Sequence, residues 1–458
     1  AAMSPDEEAS ISNYLYRTGI DHLLSNNQVD DARAKLLDLD YFDKMFKLGK
    51  QSPDILQYWL KIGDDDQGIG YIASVNKYLE RELQEENLDV LEKFVVLCSY
   101  SGWYKVGLDS VKLVVEVSEN LLGVEHKKTL YFLGFQALFL NHISEYEKSL
   151  KIYERVLNLK EKIFGDANVD TLTTVANLGL LYFNKGDYEK SKLLYRRAVE
   201  GNQIALGDEH PNTLTCMGSL ALIFTKIANY DEAEKLYNTV LSKEEKIHGA
   251  NHPETLTTVA NLGLLYHDKG DYEKSKLLYR RAVEGNQIAL GDEHPITLTC
   301  MGSLALVYHQ MGESDQAEEL YNDVLSKKEK IRGAKHPDTL STKQNFAVFL
   351  RDRFNNPKKA ILLLEEILVV RRKQNNQKDL SSTLTALGTS LGKCKIYDNA
   401  ISCLLESIDI RRTYANTNSL ISSLNRLADI YDQTGDKNKA IDVRIEIKGL
   451  TKNNKELN

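Results

Sequence analysis

The sequence has little of what interrupts helices. Proline occurs seven times in 458 residues, and four of the seven, Pro211, Pro253, Pro295 and Pro337, fall at one position of a repeating joint, where a fixed φ suits a helix start. No stretch shows the apolar/polar alternation of a strand, so an all-α chain is expected. The five cysteines, at 98, 216, 300, 394 and 403, form no C-x-x-C pair. They read as buried, reduced thiols and point to an intracellular, cytoplasmic protein. The longest mainly apolar run, TLYFLGFQALFL at 129–140, is too short to span a bilayer. No signal peptide is recognisable, and Ala1-Ala2-Met3 does not read as a natural start, so native sequence is expected upstream.

Catalytic signatures are also missing. A phosphate-binding loop needs G-x-x-x-x-G-K-[ST] so that backbone amides can wrap the phosphates, and GVEHKKT at 123–129 lacks the second glycine. The chain is expected to hydrolyse no nucleotide, to need no cofactor and to catalyse nothing by itself. Its net charge of −8 lacks the broad basic footprint of a nucleic-acid binder. The charge is uneven: residues 1–90 hold 18 acidic against 9 basic side chains, and the stretch from Lys343 holds 20 basic against 13 acidic. That gradient leaves room for a local basic patch facing an acidic peptide. His210, His252, His294 and His336 recur, but successive helical units stack roughly 10 Å apart, whereas zinc holds each ligand at about 2 Å. No metal is expected from them, and they are read as ordering each joint.

What is present is repetition. Residues 171–222 recur at 255–306 with three substitutions, Phe183 to His267, Asn184 to Asp268 and Asn212 to Ile296. Each copy contains two weaker copies of one pattern, so the unit is 42 residues, the period of a solenoid. Within a unit Val175, Leu178, Gly179 and Tyr182 follow helical spacing. Lys185-Gly186-Asp187 breaks the run, and Tyr188, Ser191, Tyr195 and Ala198 restart it. The position of Asn177 recurs at Lys93, Phe135, Ser219, Asn261, Ser303 and Asn345, with two looser units entering near Ala386 and Arg426. About nine helix pairs are therefore expected over residues 89–448, followed by a polar tail, 449–458.

The spacing L-G-x-x-Y and A-x-x-x-Y-x-x-A resembles the tetratricopeptide repeat, and the GDEHPNTL joint is similar to the 42-residue version in kinesin light chains and nephrocystin-type proteins. The resemblance implies a right-handed α-solenoid that binds protein or peptide in a concave groove lined by the first helix of each unit. It places Thr173, Ala176, Asn177, Leu180, Phe183 and Asn184 on that face, with Asn261, Leu264, His267, Asp268, His309 and Asn345 as counterparts. An asparagine amide donates and accepts at once, which suits an extended peptide; the other reading is that these amides tie neighbouring helices together. Ser219 and Ser303 replace asparagine in alternate units, and Ala176, Gly218, Ala260 and Gly302 stand where a terminal-carboxylate clamp would need lysines. Arg196-Arg197, Arg280-Arg281, Arg371-Arg372 and Arg411-Arg412 read either as partners for acidic residues of a ligand or as solvated helix faces. Two of the three substitutions, at 183 and 184, fall at the groove end of a first helix. That suggests groove diversification, with an effect of a swap on ligand preference and none on melting.

Residues 1–88 do not follow the repeat. They read as a collar of amphipathic helices: Ile11 to Leu24, DDARAKLLDL, DYFDKMFKLGK, DILQYWLKIG and a longer one through YIASVNKYLERELQEEN. LLDLDYFDKMFKLGK followed by SPDILQYWLKIG is similar to the stretch between the NACHT domain and the repeats of nephrocystin-type proteins. This implies the recognition arm of a larger signalling ATPase; a kinesin-light-chain-like cargo adaptor is the alternative. Neither role involves nucleic acid or membrane insertion.

Overall fold

The computed structural model describes residues 18–62, 70–353, 356–374, 376–413 and 417–456, and among them every regular element is helical. The collar comprises α1 (18–25), α2 (Val29–Leu37), α3 (Leu39–Lys47), α4 (Ser52–Ile62) and α5 (Gly70–Leu79). Asp38 separates α2 from α3 by capping the latter, its carboxylate accepting from the Asp40 and Tyr41 amides. Of the expected helix from Ile11 to Leu24, residues 11–17 lie outside the described residues. The long helix expected through residues 71–87 is not formed. The chain leaves α5 at Leu79, Arg81 is drawn aside by a bidentate pair with Asp40 at 2.7 and 2.8 Å, and the Asn87 side chain caps a short 3₁₀ turn at Glu85–Asn87.

Nine helical hairpins follow. They are α6/α7 (Leu88–Ser101, Tyr104–Leu122), α8/α9 (Lys127–His142, Tyr146–Phe164), α10/α11 (Val169–Lys185, Tyr188–Leu206), α12/α13 (Pro211–Lys226, Tyr230–His248) and α14/α15 (Pro253–Lys269, Tyr272–Leu290). The array continues through α16/α17 (Pro295–Met311, Ser314–Arg332), α18/α19 (Pro337–Arg353, Pro357–Gln374), α20/α21 (Gln377–Lys393, Tyr397–Thr413) and α22/α23 (Thr417–Thr434, Lys437–Glu456). Residues 449–456, read as tail, continue α23. Within a hairpin a glycine faces a buried tyrosine: a Cβ on Gly179 would lie 2.9 Å from the Tyr195 ring, and Ser191 donates to the Gly179 carbonyl at 2.8 Å. Gly263, Tyr279 and Ser275 repeat the arrangement. Gly179→Ala is therefore expected to cost about 1–3 kcal/mol, as overpacked cores do, measured as a lowered denaturation midpoint.

The joints are built alike. The second helices of the first six hairpins end at a glycine with positive φ, Gly123, Gly165, Gly207, Gly249, Gly291 and Gly333. Three residues later, in five of these six joints, a histidine caps the next helix, its Nδ1 accepting a backbone amide, as from Asn212 to His210 at 3.1 Å, Ile296 to His294 at 3.2 Å and Asp338 to His336 at 3.1 Å. Asn168 does the same with its side-chain oxygen. Between hairpins a column of buried polar residues on the second helices meets the next first helix. Asn202 donates to Cys216 Sγ at 3.6 Å, Asn286 to Cys300 Sγ at 3.8 Å, Lys328 to Thr342 at 3.0 Å and Arg371 to Thr383 at 2.6 Å. Cys98, Cys216 and Cys300 are buried free thiols, as expected, whereas Cys394 and Cys403 are only half-buried.

First helices of successive hairpins approach one another more closely than second helices do, so the first helices form the inner wall of a curved stack. The curvature brings the chain back on itself. Gln57 of α4 donates to the Ile331 carbonyl at 2.7 Å, His336 Nε2 lies 3.4 Å from the Tyr100 carbonyl, and Ser144 accepts from the Lys378 amide at 3.3 Å. At this seam Arg332 sits over the Tyr100 ring at 5.4 Å, and a Cβ on Gly102 would lie 2.7 Å from Pro337 Cδ. His336, 6% exposed, is pushed down to about 4 from 6.5 by burial; Arg332 and Lys328 act in the same direction, and Asp338 and the Tyr100 carbonyl oppose. The folded state thus holds a neutral ring that the unfolded chain would protonate. Stability from this group is complete above about pH 6.5 and is lost as pH falls toward about 4. His336→Asn, which keeps the cap as Asn168 does, is expected to flatten that part of the pH–stability curve.

Candidate functional site

The inner wall carries the residues expected to face a ligand. Thr173 and Leu180 are exposed, and Ala176, Asn177, Phe183, Asn184, Asn261, Leu264, His267 and Asp268 are half-buried; Asn345 is exposed. Among the described residues the amides of Asn177, Asn261 and Asn345 have no hydrogen-bond partner within the protein, so they do not tie helices together. Ser219 and Ser303, which replace asparagine in the alternate hairpins, are satisfied inside their own helices, donating to the Thr215 and Thr299 carbonyls at 3.0 and 3.1 Å. The inner wall therefore offers a free amide at every second hairpin.

His309 departs from this pattern. It is 6% exposed, with its ring against Phe349 at 5.2 Å and its carbonyl accepting from Arg353 at 2.8 and 3.1 Å. Residues of the following hairpin cover it, and it does not share the exposed face of Asn345.

Of the substituted positions 183 and 184, the second is bound to the preceding hairpin and the first packs within its own. Asn184 donates to Asn141 at 3.2 Å, and its counterpart Asp268 accepts from Lys226 at 2.7 Å and pairs with His267 at 3.2 Å. Where the preceding hairpin offers a neutral amide the residue is asparagine, and where it offers an ammonium the residue is aspartate. Phe183 and His267 pack on Tyr188 and Tyr272, with centroids 5.5 and 5.6 Å apart. Burial draws the Asp268 carboxyl up, but hydrogen bonds from His267 and Lys226 outweigh it and hold the group below its ordinary value. A double-mutant cycle of Lys226→Met with Asp268→Asn is expected to give a coupling of about 0.5–1 kcal/mol. The coupling is present above the ordinary aspartate range and fades in acid as Asp268 protonates.

The arginine pairs also serve the stack. Arg197 reaches Glu161 and Arg281 reaches Glu245, both at 2.6 Å and both one hairpin back; Arg372 and Arg412 reach Glu406 and Glu446 one hairpin ahead. Arg371 and Arg411 are buried in the polar column.

Closure of the seam forms a cavity of about 600 Å³ that the sequence does not announce. Trp103, Tyr104 and Val106 face Pro337, Val369 and Val370 across it, with Lys105, Lys335 and Lys373 at its edge. Its volume falls in the range of small-ligand sites. No periodic signal points to it, because its walls come from segments that only the overall curvature brings together.

One model of the tetratricopeptide repeat matches residues 129–204, 174–243, 228–288 and 278–330, and a second model of the same repeat matches 421–443. The chain carries tetratricopeptide repeats. Among solved structures it is similar to a Rap protein complexed with Competence and Sporulation Factor, at 13% identity and a TM-score of 0.52, covering 89% of this chain and 99% of that one. It is also similar to a putative kinesin light chain of Podosopora anserina with nearly identical TPR-like repeats (23% identity, TM-score 0.38, 45% and 98% covered). A third similar structure is BtubC of P. vanneervenii (21% identity, TM-score 0.40, 51% and 91% covered). No curated protein matches the chain. Among the described residues no helix is long and apolar enough to cross a membrane.

Proposed function

We propose that this repeat array is a non-catalytic module that binds a protein or peptide along its inner wall. The observation that carries this reading is the set of unpartnered amides, Asn177, Asn261 and Asn345, held on rigid helices at every second hairpin. An amide without an internal partner is free to bond an extended backbone, which needs a donor and an acceptor at regular intervals. The likeness in fold to a Rap protein solved with a bound factor supports ligand binding on such a scaffold.

Of the wider contexts, the recognition arm of a NACHT-type signalling ATPase is preferred to a kinesin-light-chain-like cargo adaptor. Residues 1–88 serve in this reading as a collar in front of a solenoid at 89–448. The support is the seam: α4 of the collar bonds the end of α17, so a ligand that alters the curvature of the stack acts on the collar. A cargo adaptor needs no such contact.

The test is Asn177→Ala, Asn261→Ala and Asn345→Ala together, assayed against the partner captured on the unaltered chain. At roughly 0.5–1.5 kcal/mol per hydrogen bond, affinity is expected to fall between about 10-fold and about 2,000-fold. The melting temperature should stay unchanged, because the amides support nothing internally. Full affinity in the triple variant would refute the role.

A further inference from the structure

The buried polar column turns acidic at one junction. Asn202 and Asn286 hold its place in the duplicated blocks, Lys328 in a later one, and Glu244 in the junction between α13 and α14. The joint that follows differs in the same way. One turn after the column residue stand Leu206 and Leu290 in the duplicated blocks and Arg332 later, but His248 here. Two residues beyond the capping histidine stand Asn212, Ile296 and Asp338, but Glu254 here. In this junction alone, of these four, all the positions hold a carboxylate or an imidazole.

These side chains converge. His248 Nε2 lies 3.3 Å from Glu254 Oε2, the His248 and His252 rings stack at 4.5 Å, and one ligating atom from each of the three residues lies within 4.8 Å of the others. Glu244 is 8% exposed, its Oε2 has no hydrogen-bond partner among the described residues, and it lies within electrostatic reach of both His248 and Glu254. The later junction shows what is missing: there Lys328 and Arg332 bring positive charge, and Arg332 pairs with Asp338 at 2.7 Å. Here two carboxylates share the site, and none of the four positions carries a lysine or arginine.

We propose that His248, His252 and Glu254 bind a zinc ion, with water in the fourth position and Glu244 behind them as a second counter-charge. Two carboxylates balance a divalent cation, and two imidazoles favour zinc over the oxygen-seeking magnesium and calcium. The His248–Glu254 separation already equals the edge of about 3.3 Å expected for a tetrahedron with bonds of about 2.0–2.1 Å; the ring of His252 must turn to complete it. Ligation through His252 Nε2 places the imidazole proton on Nδ1, so the 3.3 Å cap to the Glu254 amide is given up. The ion joins the end of α13 to the start of α14 and so fixes the angle between two hairpins.

The test is calorimetric titration of the chelator-treated full chain with zinc chloride, alongside its melting temperature. One equivalent should bind and raise the melting temperature, and magnesium chloride should do neither. His248→Leu gives the residue that the two sister joints carry and should weaken zinc binding at least about 100-fold without unfolding the array. Glu244→Asn, which copies Asn202, should weaken it roughly 10- to 100-fold, the usual effect of losing a group behind the ligands. His252→Asn keeps a cap, as at Asn168, and should also abolish the single-equivalent binding. Absence of saturable zinc binding, or binding that His248→Leu leaves unchanged, would overturn the proposal.

Discussion

The joint between hairpins sets the angle at which each hairpin follows the last. A glycine at positive φ ends one helix, a histidine or asparagine caps the next, and in four joints proline takes its first position. Little conformational freedom remains across those residues, because the left-handed turn, the cap and the proline ring each fix part of it. A nearly constant joint repeated along a stack turns one local angle into a constant curvature. The inner wall, the contact between α4 and α17 and the cavity at the seam all follow from that angle.

The seam gives the collar a structural role. Gln57, Tyr100 and Ser144 lie early in the chain, and their partners Ile331, His336 and Lys378 lie late. Each of these is a single hydrogen bond, worth about 0.5–1.5 kcal/mol, joined by Arg332 over the Tyr100 ring and Gly102 against Pro337, so the closure is a smaller contact than those within the hairpins that meet in it. A stack closed this way can respond to a ligand on its inner wall, since a small change of angle at each joint adds up where the ends meet. The polar column works at the same junctions, and its identity varies from asparagine to glutamate, lysine and arginine while the apolar packing around it is kept.

Much of the fold was legible in the sequence. The 42-residue step, the glycine and tyrosine pairs and the prolines sufficed for the hairpins and their register. Less of the site was legible, for definite reasons. The asparagine column marked three inner-wall amides, but a register cannot tell a free amide from one bonded across a junction; Asn184 proved bonded and Asn177 free. His309 shares the register of His267 yet is covered, because Phe349 and Arg353 of the following hairpin lie over it. The changes at 183 and 184 suggested ligand tuning, whereas Asn184 and Asp268 match Asn141 and Lys226 of the preceding hairpins, and Phe183 and His267 pack on tyrosines of their own hairpins. The seam was not legible at all, since a few degrees per joint decide whether the ends of the stack meet, and no sequence period records degrees.

Closure is the claim on which the curvature, the cavity and the role of the collar all rest. It is tested most directly by treating the native chain with a short amine-reactive cross-linker and mapping the linked lysines. Closure predicts abundant links from Lys105 to Lys335 and Lys373, which line one cavity although they lie far apart in sequence. Links confined to lysines of the same or adjacent hairpins would show an open stack and contradict the account.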